Sequence, residues 1–180
     1  MDITAIQNTT VEVESYQATF LVLKIDHQLF RFDLVDKMEF KLKRETQGQL
    51  YIYETHPLLI DYNENMATTY INSKPDSLED FVADVEHSIN EITKGWRSWT
   101  SYVTDTNINF TLNSFLSNVR SGSGILMEAP FSITQKVIEV CKRYKVATRT
   151  FGNELKQDNF KLLLIADNYV IAKEFKLHKI

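Results

Sequence analysis

The chain has one cysteine, Cys141, among 180 residues. That excludes an intrachain disulfide framework and any multi-cysteine zinc or iron–sulfur site. Five glycines and three prolines are too few for long flexible linkers or low-complexity tracts. No apolar run approaches the roughly 18–20 residues that a membrane-crossing helix needs. No basic segment leads into an apolar one at the start, so no secretory signal is read there. A reducing cytoplasm is the expected setting, with no membrane contact. No two histidines stand at i and i+4 and no H-E-x-x-H run occurs, so the sequence asks for no metal. Neither a G-x-S-x-G elbow nor a phosphate loop is present, and no cofactor is expected. The glycines of Ser121-Gly122-Ser123-Gly124 follow a helix and precede a strand, the reverse of the phosphate-loop order.

What is present is ordinary globular material: 43% hydrophobic, 24% charged and 12% aromatic. A chain of this length buries roughly 70% of its unfolded surface, enough for a core without staples. We read a single domain over residues 1–180, with a strand-rich part at 1–74 and a mixed part at 75–180 sharing one core. The clearest element covers residues 75–95. There Leu78, Phe81, Val82, Val85, Ile89 and Ile92 recur at helical spacing and make one apolar stripe. Ser77 is placed to cap it and Gly95 to stop it.

Before that helix, strand follows strand. VEVESY, TFLVLKID and LFRFDLV imply a hairpin around Asp26-His27-Gln28. KMEFKLKRE alternates cleanly, and a turn at 46–49, with Gly48 free to take positive φ, leads into LYIYETH. LLIDY reads as a further short strand and ATTYINS as another. Beyond the helix, Thr111 caps a shorter helix that Gly122 ends. Ser132 and Gln135 form a capping box that opens a third helix through about Tyr144. FKLLLIA and YVIAKEFKL flank Asp167-Asn168, a hairpin signal. FKLLLIA is nearly continuous apolar, which belongs in mid-sheet. The expected fold is α+β, a mostly antiparallel sheet with about three helices packed against it.

Charge is uneven. Residues 1–120 carry ten Lys and Arg against eighteen Asp and Glu, and residues 121–180 carry ten against six. Within 54–92, nine acids face only Lys74. Such asymmetry can mark a partner surface, although a solvated helix face is its commoner meaning. The first expectation is therefore a non-catalytic protein of a bacterial cytoplasm that binds a basic protein through Glu79, Asp80, Asp84, Glu86 and Glu91, as an immunity or antitoxin protein would. The second is a small enzyme or ligand-binding domain with a pocket near Glu54, His56 and Asp61. A histidine between two carboxylates can have the perturbed pKa and orienting neighbour that a general base needs; a strand end meeting water is the commoner meaning of that run. Trp96, Trp99 and Tyr102 would line such a pocket or, more commonly, close the end of a core. The third and weakest is nucleic-acid binding through Lys142, Arg143, Lys145 and Arg149 with Lys173 and Lys176, which a pI near 5.6 disfavours. Cys141 falls on an apolar helix face and reads as a small core hydrophobe.

Overall fold

The structure is a computed structural model that describes residues 8–104, 110–152 and 158–180. Along them run β1 (Thr10–Tyr16), β2 (Phe20–Ile25), β3 (Gln28–Val35), β4 (Glu39–Lys41), β5 (Gln47–Tyr53), α1 (Ile60–Asn63), β6 (Met66–Ile71), α2 (Leu78–Thr93), α3 (Leu112–Ser121), β7 (Gly124–Pro130), α4 (Phe131–Arg143), β8 (Thr148–Phe151), β9 (Lys161–Ile165), β10 (Asn168–Ala172) and β11 (Glu174–Lys179). Tight 3-10 turns lie at Pro57–Leu59 and Trp99–Tyr102. The fold is α+β, and every strand pairing among the described residues is antiparallel. No helix among these residues is long and apolar enough to cross a membrane. Two compact units divide the chain: Met1–Leu59 with Asp158–Ile180, and Ile60–Gln157.

The first unit is a sheet in the order β11–β3–β2–β1–β5–β9–β10–β4. Its two ends are the same pair of chain segments, because β3 runs on into β4 and β10 into β11. The ladder that sets Val35 opposite Glu174 continues into the one that sets Glu39 opposite Ile171. Between them the amide of Lys173 donates to the Val35 carbonyl and that of Met38 to the Ile171 carbonyl, both at 3.0 Å. The sheet thus closes into a barrel, and closure removes the free edges of an open sheet. β5 lies beside β1 in the spatial order of a Greek key. Alternate residues point inward: Val11, Val13, Leu21, Leu23, Phe30, Phe32, Leu50, Leu163, Ile165 and Val170 fill the interior. β9 is hydrogen-bonded on both sides and buries Leu162 as well as Leu163, as its apolar run implies.

The turns show which local chemistry prevails. Asp26 and His27 form the β2–β3 turn with both φ values positive, 48° and 65°, the conformation of a two-residue hairpin loop. Gly48 does not take positive φ; Glu45 does, at 61°. Gly48 belongs to β5, and its missing side chain leaves room for Ala166, whose Cβ would stand 3.1 Å from an added one. The β9–β10 loop is Ala166-Asp167, one residue earlier than the sequence signal, and Asn168 is buried in β10. Of KMEFKLKRE, only residues 39–41 are strand. LLIDY is not a strand. Pro57 starts a 3-10 turn in which the Leu59 amide donates to His56 O at 2.8 Å, and α1 follows. Leu58 and Leu59 are both buried, whereas a strand would turn successive side chains to opposite faces.

The second unit is a three-stranded sheet, β7–β6–β8, with β6 in the middle. α4 lies against β6 and β7, α2 against α4, and α3 against β7. Phe81, Val85, Ile89, Phe115, Val119, Leu126, Ile133, Val137 and Val140 make a fully buried core of their own. Gly122 ends α3 at φ 70°. α4 does not begin with the expected capping box. It starts at Phe131 after Pro130, and the Ser132 amide donates to Glu64 Oε2 at 2.8 Å. A carboxylate from outside the helix, favourably placed on the dipole, takes the capping role.

Candidate functional site

α2 is built as its sequence pattern demands. Ser77 Oγ accepts from the Asp80 amide at 3.4 Å, and Lys94 ends the helix in the left-handed conformation one residue before Gly95. With Phe81, Val85 and Ile89 turned inward, Glu79, Asp80, Glu86 and Glu91 are exposed and Asp84 is half-buried. Their charges have different fates. Asp84 Oδ2 accepts from Arg143 Nη2 at 3.1 Å and from the Tyr144 hydroxyl at 3.2 Å, which ties α2 to the end of α4. Partial burial and that carboxylate push the Tyr144 phenol up. Glu91 lies 3.6 Å from His87 Nε2. Glu79, Asp80 and Glu86 have no cationic partner among the described residues.

The barrel unit differs: Glu12 and Glu14 share Lys24, Asp33 has Arg31, Asp36 has Lys173, Glu54 has Lys161, and Glu174 has Lys176. Asp26, Glu45 and Asp167 of that unit have no cationic partner among the described residues either; α2 is set apart by carrying three such acids on one helix.

The Glu54, His56 and Asp61 run divides between the units, the first two in the barrel unit and Asp61 in the second. Glu54 is exposed and meets Lys161 Nζ at 2.7 Å, which holds its carboxyl below the usual range. His56 Nδ1 accepts from the Leu58 amide at 3.2 Å, and its ring centre is 5.4 Å from that of Tyr53. Partial burial lowers its pKa, so the neutral ring is favoured. This geometry makes His56 a cap for the Pro57–Leu59 turn.

Asp61 enters a polar cluster with Tyr102, which the sequence had set beside the same supposed pocket, and with Arg97, which it had not signalled. Its Oδ2 accepts from Arg97 Nε at 3.1 Å and its Oδ1 from the Tyr102 hydroxyl at 2.9 Å. Arg97 also reaches the Tyr62 hydroxyl at 3.4 Å. Burial first, then the charge of Asp61, push the Tyr102 phenol up. It stays protonated as a donor and cannot serve as a base near neutrality. Trp99 packs edge-on to Phe115 with ring centres 5.9 Å apart, and Tyr102 is in the core, whereas Trp96 is exposed. The cluster thus fixes residues 97–102 against α1. Arg97 was legible only as an isolated cation between two tryptophans, with nothing local to pair it with a residue 36 positions earlier.

The other sequence candidates also resolve. Arg143 is held by Asp84, and Arg149 lies 4.6 Å over the Phe151 ring. Lys142 and Lys145 are exposed. Lys173 and Lys176 belong to the barrel unit and have acid partners there. Cys141 is fully buried, and burial pushes its thiol up to about 12. Among the described residues no three His, Cys, Asp or Glu side chains converge as metal ligands would. No protein-family model matches this chain, and neither a curated protein nor a solved structure does.

Proposed function

We propose that the chain is a cytoplasmic, non-catalytic protein-binding protein whose working surface is the exposed face of α2. Its partner class is a protein with a cationic surface, in the manner of an immunity or antitoxin protein neutralising a basic target. One observation carries the reading. Among the described residues Glu79, Asp80 and Glu86 are left without cations, on a helix whose other face is anchored in the core. Charges so placed raise encounter rates with an oppositely charged partner. The rigidity of a packed helix keeps the ordering cost of binding low.

Affinity capture from lysate tests this, with wild type beside Glu79→Lys/Asp80→Lys/Glu86→Lys at low and high salt. The expected result is a basic protein retained only by wild type and released by salt. Equal retention by both proteins would remove α2 as the surface.

A further inference from the structure

We propose that β8 is a dimerisation edge, through which two copies of the chain pair antiparallel and join their three-stranded sheets. The two edges of that sheet differ. At β7, α3 lies alongside, and Asn118 Nδ2 donates to the Ile125 carbonyl at 2.8 Å, so that edge is covered. β8 pairs with β6 on one side, and among the described residues nothing pairs with its other side. α4 packs over β6 and β7, away from that open side.

The ladder fixes which backbone groups point outward. The Asn72 amide donates to the Ala147 carbonyl at 2.8 Å, and the register runs on to Tyr70 opposite Arg149 and Thr68 opposite Phe151. Hydrogen-bonded pairs alternate along an antiparallel ladder, so Arg149 and Phe151 turn their backbone groups to β6. Thr148 and Thr150 turn theirs outward, where no described residue meets them. Unpaired amides and carbonyls along an edge are a template for another strand.

The strand that fits is a second copy, because β8 complements itself. A two-fold axis beside Thr150 sets that residue opposite its own copy, where the two exchange N–H···O bonds. It also sets Thr148 opposite Gly152 and Arg149 opposite the copy's Phe151. An axis at Arg149 would oppose like charges, which is unfavourable. One at Thr148 would leave Phe151 beyond the copy's strand. Within one chain the Arg149 guanidinium already lies 4.6 Å from the centre of the Phe151 ring, which is 49% exposed and edge-on to Tyr70. Across the two-fold, Arg149 and Phe151 form a close, non-hydrogen-bonded pair with Cα atoms about 4.5 Å apart. Each guanidinium then reaches the other copy's ring. A seam four residues long buries less than the roughly 1,200 Å² of a stable complex, so the dimer is a weak one.

The test is sedimentation equilibrium of the full chain from micromolar to near-millimolar concentration, where wild type should pass from monomer to dimer. Phe151→Lys sets a second cation opposite Arg149, twice by symmetry, and should weaken the dimer about tenfold. Phe151→Glu sets an acid there and should keep it. Phe151 is exposed, so both variants leave the core untouched. Register is read by mild oxidation of Arg149→Cys and Phe151→Cys proteins. Mixed, they should cross-link; alone, each places its two thiols diagonally, about 7–8 Å apart and beyond disulfide reach. Cys141 is fully buried and adds no cross-link. The proposal is overturned if wild type stays monomeric throughout, if Phe151→Lys associates as wild type does, or if Phe151→Glu dissociates as Phe151→Lys does. Cross-links as abundant in either variant alone as in the mixture would overturn it too. Amide exchange at Thr150 separates the alternatives to a second copy. It should be fast in dilute solution and slow in concentrated solution. Protection at every dilution would mean that the chain covers its own edge, and fast exchange at every concentration would leave the edge to a strand of another protein; either result overturns the dimer.

Discussion

Cys141, His56 and Gly122 each carry a chemical or steric signature of their surroundings. The Cys141 thiol, buried and raised to about 12, should react with Ellman's reagent at pH 8 only after unfolding. Rapid native labelling would show the α4 packing to be wrong. His56 is held below its ordinary value of about 6.5 by partial burial, and protonating Nδ1 would also cost its bond from Leu58. A base with a depressed folded pKa binds more protons when unfolded, so stability rises with pH through this group. Its contribution is neutral above about pH 6.5 and becomes destabilising as pH falls from there through the folded pKa. His56→Asn keeps an acceptor for the Leu58 amide. Urea midpoints between pH 7.5 and 5.5 should therefore fall less in the variant than in wild type; equal falls would contradict the assignment. Gly122 was legible as a helix stop, and the structure adds why alanine fails there. At φ 70° a Cβ would overlap the Lys74 backbone nitrogen, so Gly122→Ala should lower the melting temperature beyond a surface substitution's usual range. The sequence set Asp61 and Tyr102 beside one supposed pocket, but the bonds from Arg97 and the Tyr102 hydroxyl to Asp61 were illegible, since they arise through packing and share no local pattern.

At the scale of elements, α2 separates folding from binding. Phe81 is fully buried and edge-on to Tyr144, with ring centres 5.5 Å apart. Phe81→Ala should cost about 3–5 kcal/mol in chemical denaturation. Glu79→Lys/Asp80→Lys/Glu86→Lys removes no ion pair among the described residues, but Glu79 and Asp80 lie in the first turn of α2, where the helix dipole favours acids, so the variant should lose only about 1–2 kcal/mol, well short of the Phe81→Ala loss. A large loss would show that the acids stabilise the fold in some way the contacts do not reveal. α2, α3 and the β2–β3 and β9–β10 hairpins were readable because their signals are local: a stripe at helical spacing, Thr111 and Ser77 at caps, two-residue turns. The start of α4 was misread because Ser132-x-x-Gln135 has the right spacing, yet Glu64, from a different part of the chain, takes the bond. LLIDY was misread because two adjacent leucines both find burial in a turn, which periodicity does not encode.

At the scale of the molecule, the pairing of β9–β11 with β1–β5 spans the whole second unit and leaves no local signature, since long-range pairing is set by closure and core filling. Tyr53 stands opposite Leu162, so residues 60–157 leave and re-enter between neighbouring antiparallel strands, as an insertion at a hairpin tip. The barrel unit has its own buried core. Replacing residues 60–157 with a short Gly-Ser linker should leave a β-rich remainder that unfolds cooperatively, and a disordered remainder would contradict that insertion reading. The α+β class was legible from alternating strands and striped helices. The charge asymmetry was legible too, but only the structure separates Asp84, committed to Arg143, from Glu79, Asp80 and Glu86. The central claim rests on that separation. Its most direct test is the association rate of the captured basic partner, followed over a salt series with wild type and Glu79→Lys/Asp80→Lys/Glu86→Lys. The account predicts an on-rate that falls steeply with salt for wild type and starts low and flat for the variant. On-rates that coincide at every salt concentration would contradict it.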